Sequence, residues 1–454
     1  MLQDNSLRVI PERSIRPLEA GGKMFMGRQL WLSFCMIVSI VLGASVAFAA
    51  PPNLGVAGKQ RKIVVFREAI PDGERHAVVQ QHGGEARNRV KRFHGLVTDM
   101  PEHMVKTLRR HSKVKAIYDD LPMHGDGVIT FTPAPPPTVE MYDWGQQNMG
   151  VPAARQLLAG LGLTGVRIAV LDTGIDLTHP ELQSSIVGGF NALNGGNPAN
   201  YQDDNGHGTH MTGIIAAAMN GQGIIGAVQH PLISAVKVLD NTGAGYLSDL
   251  LNGLDWVLAN NIQVVNMSLS FDEGSPLLEQ AIQELYEAGI ILVASAGNQC
   301  KVTTGNYSGG DDSGGDSTSV CTMAQDPRQG GVKYPGRYPE VIAIAGTDMY
   351  DHIATYNRVG PEITLAAPGG SSVTGKIFST LMGAQYAYGS GASQATAHAT
   401  GAIATVLQVV PGLTPAQMLT LMQTTATDLG VPATQQGAGL INVERMIRAV
   451  LGLP

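Results

Sequence analysis

From about residue 141 the chain alternates between two patterns. Short continuous apolar runs occur at 167–172, 232–239, 264–269, 290–294, 341–345 and 364–366. Longer stretches with helical spacing lie between them, among them 207–219, 247–260 and 276–288. A strand that is apolar on both sides must be covered on both sides, and a helix between two strands returns the chain parallel to its start. The predicted fold class is therefore α/β, a parallel sheet with helices on both faces. Ligands on such sheets bind beyond the carboxyl ends of the strands, so functional residues are sought there. The 56 glycines favour a loop-rich α/β protein over a helical bundle. A net charge of −7 argues against a nucleic-acid partner.

The residues before this region divide into three parts. Residues 1–49 read as a signal peptide: Lys23 and Arg28 precede an apolar run over 30–48, and Ala47-Phe48-Ala49 offers a cleavage site after Ala49. The polar stretch before Lys23 is long for such a segment, which makes Met24 or Met26 a candidate start. The run approaches spanning length, so an uncleaved membrane anchor is the alternative. Residues 50–61 are a polar leader, and 62–120 predict strand 62–66, helix 72–81, strands 88–93 and 96–100, a helix opened by Pro101, and strand 114–119. This order, βαββαβ, belongs to a small α+β ferredoxin-like unit. A linker over 125–140 follows, with Gly125-Asp-Gly127 flexible and Thr132-Pro-Ala-Pro-Pro-Pro-Thr138 extended, exposed and cleavable. Of the three cysteines, Cys35 lies in the apolar run, which leaves Cys300 and Cys321 as a possible disulfide in an exported chain.

Four polar residues stand where chemistry is expected. Asp172 closes the strand Val166-Arg-Ile-Ala-Val-Leu171, although Asp-Thr-Gly also suits a plain turn. His207 and His210 open a helix; two histidines three apart could bind a metal, or one could be a base and the other structural. Asn298 follows the buried strand that ends in Ala294, where an amide can donate to a developing oxyanion or simply turn the chain. Ser393 sits where a Gly-rich turn enters an alanine-rich helix over 393–409, as a nucleophile or as an N-cap. Together they make a nucleophilic set in which the Ser attacks, the His takes its proton, the Asp orients the His and the Asn holds the oxyanion.

With these residues in view, the stretch 141–446 resembles the subtilisin-like serine proteases, the subtilases. Ala169-Val-Leu-Asp172-Thr-Gly-Ile-Asp176, Gly206-His207-Gly-Thr-His210, Ala294-Ser-Ala-Gly-Asn298 and Gly391-Ala-Ser393 resemble the family's aspartate, histidine, oxyanion and serine motifs, with His398 and Gly401 matching as helix residues. The resemblance implies a catalytic domain over 141–454, acting on protein or peptide substrates. Gly243, Ala244 and Gly245 would pair with an extended substrate, and Ser268, Leu269 and Ser270 would form the opposite wall. It implies structural Ca2+ held by Glu181, Ala218, Asn220, Gln222 and Ile224; a plain Gly-rich turn is the alternative reading of that loop. It also implies that 50–124 is an inhibitory propeptide that assists folding, plugs the cleft with its C-terminal segment and is then removed by a cut within 125–140. The mature enzyme would be secreted, monomeric and free of the membrane.

Departures from the family pattern set further expectations. Ser270 stands where glycine is usual and narrows the approach to the pocket. Gln394 replaces an apolar neighbour of Ser393, and Ala397 replaces a proline, which relaxes the packing of the serine. An acidic insertion between Cys300 and Cys321, placed at the pocket rim, predicts a preference for basic or neutral side chains over acidic ones. Two other readings use the same residues: a peptide-binding protein with a disabled site, and an acyltransferase or esterase.

Overall fold

A computed structural model describes residues 59–126, 131–193, 196–299, 301–302, 321–322 and 331–454. The predicted signal peptide lies outside the described residues, as does Cys300 and with it the Cys300–Cys321 pairing. No helix among the described residues is long and apolar enough to cross a membrane.

Seven strands form the central sheet, in the order Leu365–Pro368, Val341–Thr347, Ile291–Ser295, Val264–Met267, Val166–Asp172, Pro231–Lys237 and Ile186–Asn191. Every pairing in it is parallel, as the alternation predicts. Successive residues of a strand serve opposite faces. Val166, Ile168 and Val170 join one core and Ala169 and Leu171 the other. The first core is closed by helices His207–Ala216 and Ala392–Leu407, the second by Leu247–Ala259 and Pro276–Glu287. All sixteen residues of Ala392–Leu407 are buried. Only small side chains allow a helix to run that deep, and Ile403 alone contributes roughly 1.5–3 kcal/mol by its burial.

Several elements escaped the sequence pattern, among them an edge strand and a hairpin. The edge strand Ile186–Asn191 is half exposed and contains Gly188-Gly189, so it lacks the apolar run of its neighbours. A Cβ on Gly189 would lie 2.4 Å from the Ala235 carbonyl oxygen, so the strand needs glycine there. The hairpin Ile377–Leu381 with Gln385–Gly389 was also unread, and Thr132–Ala134 pairs with it as a third strand. This part of the linker is extended and mostly exposed, as expected, and is in addition paired as an edge strand. Pro133 is accommodated because Thr132–Ala134 is an edge strand, where a missing N–H costs no ladder bond.

The N-terminal module has the predicted order. Its antiparallel sheet runs Glu85–Val90, Gly95–Pro101, Lys59–Phe66, Val114–Asp119, with helices Asp72–Gln81 and Glu102–Leu108. Val64, Phe66, Leu96 and Met100 face its own helices, whereas Ile63, Val65 and Val97 join the second core of the main sheet. Arg92 bridges to Asp255 (3.3 Å) and Glu284 (3.0 Å) on the helices beneath. At the end of the module, Asp120 accepts from the Ser248 N–H and Oγ, both at 2.8 Å, and from Arg61 Nε at 2.6 Å. The module thereby satisfies orphan donors in the first turn of Leu247–Ala259.

Candidate active site

Asp172 ends its strand at the carboxyl edge of the sheet with its side chain fully buried. Its Oδ1 accepts from the Thr173 N–H (2.7 Å) and from His207 Nδ1 (2.7 Å). The helix carrying His207 is tied down by Asp203, which accepts from the N–H groups of Asn205, Gly206 and Thr209 and from the hydroxyls of Thr173 and Thr209. Lys237 sits under the same turn and donates to the Thr173 and Leu239 carbonyls and to Asp204. Gly208 lets the helix start press against the strand end: a Cβ there would lie 2.0 Å from the Gly174 carbonyl oxygen and 3.1 Å from Asp172 Cβ.

His207, His210 and His398 are buried in different surroundings. Burial works against charging His207, but the charge and hydrogen bond of Asp172 outweigh it and hold the ring above the usual histidine range. Burial pushes His210 down to about 3 and His398 down to about 4, so both are neutral at physiological pH. His210 Nε2 bonds the Ala387 carbonyl (3.2 Å), and His398 Nδ1 bonds the Gln394 carbonyl (3.0 Å). Both hold backbone in place. Among the described residues no group of three potential ligands could hold a metal ion here, so the metal reading of His207 and His210 finds no partner side chain.

Between the two predicted cleft segments runs a third strand. Pro122–Gly125 is the centre of a three-stranded sheet, antiparallel to Ala244–Tyr246 on one side and Leu269–Ser270 on the other. Gly125 N donates to the Gly243 carbonyl (2.9 Å), and Asp126 N donates to the Ser268 carbonyl (3.2 Å). Met123 is fully buried in the second core. The Ser393 hydroxyl donates to the Asp126 carbonyl oxygen at 2.9 Å. His207 Nε2 is buried and has no hydrogen-bond partner among the described residues. Asn298 Oδ1 accepts from the Ala392 N–H (3.0 Å). A Cβ on Gly391 would lie 3.1 Å from Asn298 Nδ2 and 3.6 Å from the Asp126 carbonyl oxygen, so amide and carbonyl border the same small space. The structure thus places Ser393 Oγ on the Asp126 carbonyl (2.9 Å), with the Ser268 carbonyl at 3.4 Å from the same hydroxyl and the Asn298 amide bordering the same space; Asp172 and His207 form a separate hydrogen-bonded pair.

Ser270 is buried, and its Oγ donates to Asp126 Oδ1. An acidic side chain thus lies against Ser270; the acidic residues of the insertion lie outside the described residues. Sequence reading missed Asp203, Thr173 and Lys237 as the scaffold of the His207 turn; the signal available for Asp203 is its place four residues before His207, in Asp203-Asp-Asn-Gly-His207.

A second cluster lies at the predicted cation loop. Glu181 is buried; its Oε1 accepts from the Tyr386 hydroxyl (2.7 Å) and its Oε2 from Asn220 Nδ2 (3.4 Å). Burial pushes its pKa up to about 7, and the nearby charge of Glu140 adds to the rise. Glu140 itself accepts from the N–H groups of Asn220 (2.5 Å) and Gly221 (2.8 Å). A Cβ on Gly223 would lie 2.0 Å from Glu181 Oε1, so the loop is shaped around the carboxylate.

A parallel sheet with a buried Asp–His pair, and a helix-start serine set on a peptide carbonyl, belongs to the serine peptidases of the subtilisin kind. The chain matches the subtilase family over residues 164–440 and belongs to it. It is 31% identical to subtilisin NAT of Bacillus subtilis subsp. natto over 424 residues, 92% of this chain and 98% of that protein. It is 32% identical to a thermostable alkaline protease of Halalkalibacterium halodurans over 411 residues, 90% of this chain and 98% of the relative. The minor extracellular protease Epr of Bacillus subtilis is 38% identical over 284 residues, 62% of this chain and 38% of that relative.

Replacing Gly208 by alanine forces the His207 helix away from the Asp172 strand. A displacement on the order of 1 Å at a reacting group costs about a hundredfold, so the Gly208→Ala enzyme should lose about that in kcat/KM on a peptide substrate.

Proposed function

We propose that this subtilisin-like serine peptidase is an exported endopeptidase made as a zymogen, with Asp172, His207 and Ser393 as its triad and Asn298 as an oxyanion donor. The observation that carries the reading is the placement of the Ser393 hydroxyl on the carbonyl of a strand seated between Gly243–Gly245 and Ser268–Ser270. A bound substrate strand would lie as Pro122–Gly125 lies now. Gly243, Ala244 and Gly245 on one side and Ser268, Leu269 and Ser270 on the other supply the main-chain bonds.

In the reaction the Ser393 Oγ leaves its bond to the carbonyl oxygen, gives its proton to His207 Nε2 and attacks the carbonyl carbon. Asp172 holds the other proton of the ring on Nδ1, which keeps the lone pair on Nε2 and stabilises the imidazolium that forms. Asn298 is anchored through Oδ1 to Ala392 N–H, which leaves the Nδ2 hydrogens for the oxyanion. His207 then protonates the leaving amine, the acyl-enzyme remains, and water releases it with the same base.

The module 59–126 would be the inhibitory part of the propeptide. Its packing on Leu247–Ala259 and Pro276–Glu287 and its strand in the cleft support this role. The boundaries 50–124, 125–140 and 141–454 then need one adjustment: the cleft strand carries its hydrogen bonds on to Asp126. Export is supported by the charged and apolar pattern of residues 1–49 and by the extracellular label of one relative. Calcium is part of the same proposal. Glu181 and the Asn220 amide, with the carbonyls of Ala218, Gln222 and Ile224, form an oxygen set suited to a hard cation. The buried carboxylate with its raised pKa and the cradle at Gly223 fit that role. The ion would supply a charge that keeps Glu181 ionised and the loop closed.

Three outcomes test this. The wild-type precursor should shorten over time in mass spectra while the Ser393→Ala precursor stays whole; shortening of both would remove Ser393 from the nucleophile's role. The acid limb of kcat/KM should have its midpoint above 6.5, because His207 acts as a base only when neutral and Asp172 raises its pKa. Asp172→Asn should move that midpoint down. Calcium should raise the melting temperature of the mature enzyme, and Glu181→Ala should abolish most of that rise; an equal rise in the variant would move the ion elsewhere.

A further inference from the structure

We propose that the enzyme cuts its own chain after Asp126, and that the pocket receiving the Asp126 side chain selects acidic residues on the amino side of the scissile bond, with Ser270 as the residue that reads them. This rests on the protease reading above and names the side-chain class its site takes.

The register decides the first half. The Gly125 and Asp126 N–H groups bond opposite walls of the cleft, at Gly243 and Ser268. Those two bonds leave the Asp126 carbonyl as the one that meets Ser393 Oγ, beside the space bordered by Asn298. The bond that follows, Asp126–Gly127, lies inside the predicted linker. Glycine after the cut offers no side chain to obstruct the approach.

The side chain decides the second half. Asp126 is 3% exposed and Ser270 is 3% exposed. A buried carboxylate is costly unless it is hydrogen-bonded. The Ser270 hydroxyl donates to Asp126 Oδ1, while Oδ2 is buried and has no partner among the described residues, which leaves Ser270 as the donor that offsets the burial of this carboxylate. The same hydroxyl is an obstacle to an apolar side chain, which would leave it desolvated without an acceptor. A site built to bond a substrate group rejects analogues that lack it. A glycine at position 270, as the subtilase resemblance leads one to expect, would offer no such donor. The cut itself needs no reagent beyond water. Ser393 Oγ bonds the Asp126 carbonyl carbon as its proton passes to His207. The Asp126–Gly127 C–N bond breaks with that proton going to the Gly127 nitrogen, and water then frees the Asp126 carboxylate and restores the serine.

The test follows the full precursor and then the mature enzyme. The earliest product of the wild-type precursor should begin at Gly127, and Asp126→Phe should slow its appearance about tenfold or more. Quenched peptides spanning Pro122-Met-His-Gly-Asp126-Gly-Val-Ile129, with Asp, Asn, Phe or Arg at the fifth position, are then given to the mature enzyme. The aspartate peptide should lead in kcat/KM by roughly ten- to a hundredfold, the range of a hydrogen bond to a charged group. Ser270→Ala should narrow the Asp-to-Asn ratio about tenfold, and Ser270→Thr, which keeps the hydroxyl, should retain it. A different first N-terminus overturns the cut. A lead for the phenylalanine or arginine peptide, or a ratio unmoved in Ser270→Ala, overturns the pocket while leaving the protease reading intact. A precursor that never shortens and is not labelled at Ser393 by a fluorophosphonate overturns the protease reading and this proposal with it.

Discussion

Two antiparallel ladders hold Pro122–Gly125 in the cleft, and their register carries consequences well beyond the strand itself. Pairing with Ala244–Tyr246 and Leu269–Ser270 turns two otherwise exposed edges into a closed three-stranded sheet. Unpaired edges invite pairing with any extended chain, which is the property a peptide-cleaving cleft requires. The strand also connects the N-terminal module to the site. Asp120 is fastened to the first turn of Leu247–Ala259, and six residues later the chain meets Ser393. The span is short enough that docking of the module fixes which carbonyl arrives at the nucleophile.

The charges behind the site obey a similar economy of partners. Asp172 and His207 are both buried, and each is tolerable because the other is there. Asp203 uses both oxygens on backbone and hydroxyl donors of the histidine turn, so its charge is spread over five bonds. Lys237 places a cation beneath that turn and bonds two carbonyls with it. Such a scaffold holds the imidazole without touching its Nε2, the one ring atom that must stay free to receive a proton. His210 and His398 are kept neutral by burial, which avoids adding positive charge beside a base.

Much of this was legible because periodicity and chemistry agreed. The central strands were readable as apolar runs, and the module's helix Asp72–Gln81 and strand Val114–Asp119 had the observed bounds. Motif residues lay on strand ends and helix starts, but Asp172, His207, Asn298 and Ser393 each also suited a turn, a cap or a structural role, so it was their occurrence together and the family resemblance that singled them out. The strand Ile186–Asn191 was not legible because an edge strand has one wet side and glycines break its pattern. Thr132–Ala134 is extended as its composition predicts, but its pairing was not legible, because proline composition reports what a segment does in isolation, whereas an edge ladder needs only some of its donors. The contact of Ser270 with Asp126 was not legible for a different reason: it joins residues 144 positions apart, and the net charge of an insertion says nothing about which few atoms meet.

Gln394 shows how far a local sequence rule can be broken beside a nucleophile. Its side chain is fully buried, and neither amide atom has a hydrogen-bond partner among the described residues. Leaving buried polar groups unpaired costs about 1–3 kcal/mol each, so an apolar side chain of the same shape would stabilise the helix start. The amide is held where Gly389 and Gly391 make room: a Cβ on Gly389 would lie 2.8 Å from Nε2, and one on Gly391 would lie 3.2 Å from Oε1. The Gly391 position also faces Asn298 Nδ2. Gln394 therefore brings an unpaired amide to the same space at Gly391 that Asn298 Nδ2 borders. Ala397, one turn on, is buried in an uninterrupted helix, so the missing proline has not opened the structure there. Of the two departures from the family motif, the one that changes the physics of the site is the buried amide.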